Sequence, residues 1–529
     1  MLRLLPLAAC LLLFGLTRLH YAYWPLAWPD EALFSSPAAE LAARGVFATP
    51  VLDGLLPGME RATLWNSPLY MVLLSGVYLF TGESQVIARG LALVCGFVAL
   101  FLFYTIARRL FTTIAEQATR QRSLLIAGLA TLLLALDPTF HRAANTARMD
   151  MLTLCFLLGS LWFLIDTFAP NGTRKSSARP LDPRFLLAGI CAGLAGLSHP
   201  AGILAVPVIL IFAFPRWRDA VAGGLGAALG IAPWLFYIVP NLELFQVQFL
   251  SQLVRKGGML EAAAGGDTGG VLVVYFSQYG GTRLMMIFAL LILTATIGAV
   301  TLRLLNTLMQ KTGDEPTSLT TRIYLAFATT TVLVILASEA WYALYVGPYW
   351  LLAAGLLIVT RPAPAHPYLG RLLPLTRLGT LLTVVFFLVA PAYFSIRHRI
   401  QLDTPTQVQR FETRLVNVAA TCSSIYLRVR PDPYFRLREA YPNMEVLEFV
   451  PGKLQIGGRQ DFFQTRYNVP NFPAYLERRF DTIDCFLLDD HGDWEPLLTA
   501  YLDRNRAAFS GLRIAAEKPL EPVTLWRRR

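Results

Sequence analysis

Charge is scarce in this sequence. Asp, Glu, Lys and Arg make up 15% of its 529 residues, against about 25% in an ordinary soluble chain. The scarcity is uneven. Residues 1–395 hold repeated apolar runs of about 16 to 24 residues, and a bilayer-crossing helix needs roughly 20. Residues 396–529 read like soluble protein. A wholly soluble protein is thereby excluded. So is a membrane barrel, because the runs do not alternate polar with apolar. Cysteine is sparse, six residues in all, and no Cys/His spacing describes a zinc site. A glycine-rich phosphate loop is missing, which argues against dinucleotide chemistry. No internal repeat is visible, although many transporters carry one.

What is present is a ladder of apolar segments. Spans are expected near 4–22, 86–107, 123–138, 149–168, 185–199, 201–215, 220–239, 283–303, 322–338, 343–360 and 378–395, about eleven in all. The first run, "MLRLLPLAACLLLFGL", has the look of a signal peptide, and Leu7–Cys10 of a lipoprotein cleavage site. Only six residues precede that site, and the apolar run continues past it, so a retained helix is expected. Basic residues such as Arg108, Arg109, Arg120, Arg122, Arg216 and Arg218 concentrate in alternate short loops. By the positive-inside rule this puts the N-terminus in the cytoplasm and, with an odd span count, the tail outside. The short apolar segment 67–82 would invert that pattern if it crossed, so it reads as a helix lying on the outer surface. Two long outer loops follow, 23–85 and 240–282. Four cysteines fall in apolar runs and read as packing residues. Cys422 and Cys485 lie in the tail, where an oxidising compartment would permit, without requiring, a disulfide.

Polar residues gather at one expected face. Asp30 and Glu31 follow the first span in "YWPLAWPDEALFSSPAAELAARG". Arg148 and Asp150 enter the fourth span. His199 separates the fifth from the sixth. Arg255 and Lys256 lie in the second long loop, and Trp341, Tyr342 and Tyr345 enter the tenth span. Each has a bland explanation: a solvated acid, a local ion pair, a helix cap, an interfacial aromatic. Together they suggest a cavity, because ionisable groups at membrane depth usually line one.

The pattern resembles the GT-C class of integral-membrane glycosyltransferases, and within it the protein O-mannosyltransferases and bacterial lipid A aminoarabinose transferases of the glycosyltransferase family 39 type. The resemblance rests on "PDEALFSSPAAELAARG" opening the first outer loop, "WNSPLY", "IARGLALVCGFVALFLFYTIARRLF", "RMDMLTL" and, more loosely, "LSHPAG". It covers about residues 20–210. It implies a GT-C-like polytopic α-helical membrane domain over 1–395 and a C-terminal soluble α/β domain over 396–529. The implied activity is an inverting transfer of a hexosyl or pentosyl group from a polyprenyl-phosphate sugar to an extracytoplasmic hydroxyl on protein, lipid or glycan. Asp30 would be the catalytic base with Glu31 as helper. Arg148, Asp150, His199, Arg255, Lys256, Trp341, Tyr342 and Tyr345 would bind substrate. A divalent cation on Asp30 or Glu31 is compatible with the pattern, but nothing in it requires one. The expected setting is the bacterial inner membrane, with membrane lipid and a polyprenyl-phosphate donor as partners and no nucleic acid. The aminoarabinose transferases carry Glu-Lys-Pro-Pro where this chain has Trp65-Asn66-Ser67-Pro68. A lysine expected on phosphate is therefore absent, and the acceptor stays open. A transporter or flippase of a lipid-linked substrate is the alternative, and a catalytically dead scaffold a third reading.

In the tail, "SSIYLRV", "MEVLEFV", "DCFLLDD", "GLRIAAEKP" and "VTLWRRR" read as strands alternating with helices such as "DPYFRLREAYP" and "EPLLTAYLDRNRAAF". Asp489, Asp490 and His491 read as ordinary surface polarity. The net charge of +11 suits anionic lipid or glycan without naming a partner.

Overall fold

The computed structural model describes residues 5–23, 25–114, 120–168, 182–250, 298, 301, 319–336, 342–359, 381–382, 385, 404–448, 471–490, 496–517 and 520–529. Within them the chain forms α1 (Leu5–Leu16), α2 (Pro29–Arg44), α3 (Leu69–Thr81), α4 (Gln85–Ile114), α5 (Arg120–Leu136), α6 (Pro138–Ala144) and α7 (Asp150–Asp166). Then come α8 (Pro183–Ser198), α9 (Ala205–Ala213), α10 (Trp217–Ile238), α11 (Leu242–Phe245), α12 (Leu319–Leu336) and α13 (Ala343–Val359).

Helix starts follow local chemistry. Pro29, Pro138 and Pro183 each sit in a first turn, where a missing N–H costs nothing. Asp137 accepts the N–H groups of Thr139 and Phe140, and Asp182 that of Arg184, which are N-cap bonds. The Asp137–Pro138 junction bends α6 by 61° from α5. Glycine sets the closest packing. A Cβ on Gly189 would lie 2.0 Å from the Gly223 oxygen, and one on Gly226 would lie 2.1 Å from that of Leu186. Small residues are what let α8 and α10 touch backbone to backbone.

A helix stands in every expected span that the described residues cover, while 283–303 and 378–395 lie almost wholly outside them. Among the described residues two helical runs, Gln85–Ile114 and Trp217–Phe245, are long and apolar enough to cross a membrane, and the bent pair α5–α6 would make a third. The remaining apolar helices are shorter. Segment 67–82 holds α3, which buries Tyr70, Met71, Leu74 and Tyr78 and leaves Phe80 91% exposed. The second long loop is described only to residue 250. There Gln248 is buried and bonded to the backbone of Ala62 and Leu64.

The C-terminal residues form α14 (Thr404–Ala419), β1 (Ser424–Arg428), α15 (Tyr434–Ala440), β2 (Glu445–Glu448), α16 (Phe472–Asp481), β3 (Cys485–Asp489), α17 (Pro496–Arg504), β4 (Phe509–Ile514) and β5 (Val523–Arg528). The sheet order is β2-β1-β3-β5-β4. β1 runs parallel to β2 and β3, and β5 antiparallel to β3 and β4. Cys422 and Cys485, whose pairing is optional on sequence grounds, are disulfide-bonded. Asp489 pairs with Arg428 and Asp490 with Arg513; His491 lies outside the described residues.

The sheet region docks on the first long loop. Asp432 donates its N–H to Ala27 O at 3.1 Å. Tyr434 donates its hydroxyl to Glu83 Oε1 at 2.7 Å, and Arg479 Nε donates to Asp53 O at 3.0 Å. Three carboxyls are buried near this junction: Glu412, Asp432 and Glu448. Both Glu448 oxygens and Asp432 Oδ2 lack a hydrogen-bond donor. One shared proton would let Asp432 and Glu448 bond to each other, which two carboxylates cannot do. Burial pushes Asp432 and Glu412 up to about 7, and burial with Asp432 beside it pushes Glu448 well above the carboxylate range. Around them stand Glu31, Asp30, Arg89 and Arg436, and the two arginines only partly offset the effect at Glu412.

Unfolded carboxyls release their protons near pH 4. Between about pH 4 and 7 the folded chain therefore binds more protons, and these groups lose stability as pH rises. Asp432→Asn is expected to raise the melting temperature more at about pH 8 than at about pH 5, relative to wild type. An equal shift at both values would contradict this account.

Candidate active site

The site begins at the start of α2. Trp28 is extended (φ −114°, ψ 141°), and the helix opens at Pro29, which places Asp30 and Glu31 in its first turn. Carboxylates are favoured there by the helix dipole. Successive helical residues project about 100° apart, and the two acids accordingly part ways.

Glu31 turns inward and is 1% exposed. Its Oε2 accepts from Arg89 Nε at 2.8 Å and from the Ala147 N–H at 2.9 Å; its Oε1 accepts from Arg89 Nη2 at 2.7 Å and from the Trp28 N–H at 3.1 Å. Asp30 turns outward. Its Oδ2 accepts from Arg148 Nη1 at 2.5 Å.

Arg148 reaches that position because Asp137 and Pro138 end α5 and aim α6 sideways, and α7 restarts at Asp150. Its Nε donates to Asp150 Oδ2 at 2.9 Å, and Asp150 Oδ1 accepts the Tyr345 hydroxyl at 3.1 Å. Burial alone would lower the Arg148 pKa; Asp150 and Asp30 outweigh it and raise the pKa, so the guanidinium stays charged. The His199 ring lies 5.4 Å from Tyr342 and 6.2 Å from Tyr345, centroid to centroid. His199 Nδ1 also accepts the Ala201 N–H at 2.9 Å, so the residue caps the turn after α8. Side-chain exposure falls along the ion chain from 34% at Asp30 to 17% at Arg148 and 8% at Asp150. Asp30 is thus its solvent end.

Trp28, Arg142, Thr146, Arg148, Asp150 and Leu344 line a small open cleft. The structure brings together Asp30, Arg148, Asp150, His199, Tyr342 and Tyr345. Arg255, Lys256 and Trp341 lie outside the described residues. Sequence reasoning passed over Arg89, Arg142 and Trp28. Arg89 carried a signal, as a charge inside "IARGLALV" needs a buried partner.

In the Trp65-Asn66-Ser67-Pro68 run, where the resembling transferases carry Glu-Lys-Pro-Pro, Ser67 is buried and donates to Gly196 O at 2.7 Å. Among the described residues no group of three or more His, Cys, Asp or Glu is placed to hold a metal. Glu31 fits a cation poorly, since both its oxygens are engaged by Arg89 and backbone N–H groups.

This helical frame, with its acid-bearing first loop and small C-terminal sheet, has the fold of the GT-C glycosyltransferase class. ArnT from Cupriavidus metallidurans bound to undecaprenyl phosphate matches over 99% of this chain and 97% of its own, with TM-score 0.58 and 13% identity. Its apo state matches over 98% of each chain, with TM-score 0.57 and 14% identity. No family model and no curated protein sequence matches.

Proposed function

We propose that the chain is an inverting glycosyltransferase that moves a sugar from a polyprenyl phosphate to a hydroxyl on the aqueous side of the bacterial inner membrane. The observation that carries this reading is Arg148 held between Asp30 and Asp150 at the cleft. The likeness to a fold solved with undecaprenyl phosphate supports it. In this reading residues 1–395 are the membrane unit, with about eleven crossings and a cytoplasmic N-terminus. Residues 396–529 are an extracytoplasmic unit, a placement that the Cys422–Cys485 disulfide favours.

The chemistry needs a base and an anion receiver. Asp30 Oδ1, which makes no hydrogen bond among the described residues, takes the proton of the acceptor hydroxyl. The acceptor oxygen bonds to the anomeric carbon as the carbon–oxygen bond to phosphate breaks on the opposite face, which inverts the configuration. The bonding electrons leave with the polyprenyl phosphate, and Arg148 and Arg142 receive that anion. Asp150, Tyr345 and His199 hold Arg148 in place. Glu31 acts by positioning α2. Arg255, Lys256, Trp341 and Tyr342 remain candidates for donor contact.

The test uses purified full-length protein in nanodiscs, a panel of undecaprenyl-phosphate pentoses and hexoses, and an envelope extract as acceptor. A new glycosidic bond of inverted configuration is expected. Movement of the donor across sealed vesicles with no new bond would replace this reading with a transporter.

A further inference from the structure

The C-terminal region reaches the candidate active site through Arg430. Its guanidinium carbon lies 3.1 Å from the centroid of the Trp28 ring, and that of Arg142 lies 5.5 Å from the same ring. Trp28 lines the cleft beside Arg142 and Arg148. Arg430 is exposed and makes no side-chain hydrogen bond or ion pair among the described residues. The Asp432 N–H···O Ala27 bond pins its segment against the turn that precedes α2.

A guanidinium that lies flat over an indole uses its face for that contact and keeps its five N–H donors at the edge for other partners. Arg142 is close enough to feel repulsion from both Arg148 and Arg430, and Asp30 is among the charges that Arg430 feels. Arg148 is already shared between two carboxylates. Placing another exposed arginine at this spot adds repulsion to the free protein. An arriving oxyanion would relieve it through charge-assisted, bidentate bonds.

We infer that Arg430 and Arg142, arrayed on Trp28, form an anion-binding lip that positions the phosphate or carboxylate group of a substrate beside Asp30, so that the C-terminal region completes the site. The nature of that substrate rests on the function proposed above; the lip itself is testable without it. The negative group belongs either to the lipid-linked donor or to a water-borne acceptor.

Full-length protein in nanodiscs is titrated with undecaprenyl phosphate in the bilayer and with inorganic pyrophosphate in solution. Undecaprenol serves as the uncharged control. Arg430→Gln is expected to weaken one anion by about ten-fold. Arg430→Lys should weaken it less, and the melting temperature should hold within about 2 °C, since an exposed side chain is lost. Weakening of undecaprenyl phosphate assigns the lip to the donor; weakening confined to pyrophosphate assigns it to a soluble anionic acceptor. A wild type that binds neither anion, or an Arg430→Gln variant that binds both as wild type does, would overturn the lip. Arg430-dependent binding without any sugar transfer would remove the proposed function and leave the lip standing.

Discussion

Asp30→Asn is expected to cut the turnover of sugar transfer by about 10²–10⁴-fold, the usual worth of a positioned general base. That loss corresponds to roughly 3–5.5 kcal/mol of transition-state stabilisation. The variant should still fold. Asp30 has a side chain 34% exposed, and Arg148 keeps its 2.9 Å bond to Asp150 when Asp30 is neutralised. Partly exposed ion pairs contribute about 1 kcal/mol or less, so the melting temperature should move little. Donor affinity should be kept or improved, because Arg148 is relieved of one carboxylate that competes with the donor's phosphate. The expected signature is a fall in kcat with KM for the donor unchanged or lower. Transfer within about three-fold of wild type would take the base role away from Asp30.

Much of this geometry is legible in the amino-acid order, and the limits are physical. Asp30, Arg148, Asp150 and His199 each interrupt or end an apolar run on one expected face, and a charge in such a place needs a reason. The tail alternates period-two strands with helices, so its elements can be read from the sequence. Its sheet order cannot: β5 lies between β3 and β4 because of pairing between distant segments. The roles of adjacent Asp30 and Glu31 are inseparable in the linear chain. The helical rotation between them sends one to solvent and the other to Arg89, 58 residues on. Arg430 is invisible as a site residue, since its only link to Trp28 runs through the docking of the C-terminal region.

Arg89→Met is expected to leave little folded protein. Arg89 is 0% and Glu31 1% exposed. Their bidentate contact at 2.7 and 2.8 Å joins α4 to α2. Arg89 Nη1 also donates to Tyr21 O at 2.8 Å, and Glu31 accepts from the backbone of Trp28 and Ala147. One ion pair therefore ties the turn segment after α1, the start of α2, α4 and the segment that carries Arg148. Removing one partner leaves a buried, uncompensated charge, which costs about 3–5 kcal/mol, a large share of the roughly 5–15 kcal/mol that holds a typical domain folded. Glu31→Gln should fall in the same range, with a lowered melting temperature and a lowered yield from detergent. The double variant Glu31→Gln/Arg89→Met should be less unstable than the sum of the singles, because no buried charge then stands alone. A Glu31→Gln protein that melts like wild type yet transfers no sugar would return Glu31 to the chemistry and refute its role as an anchor.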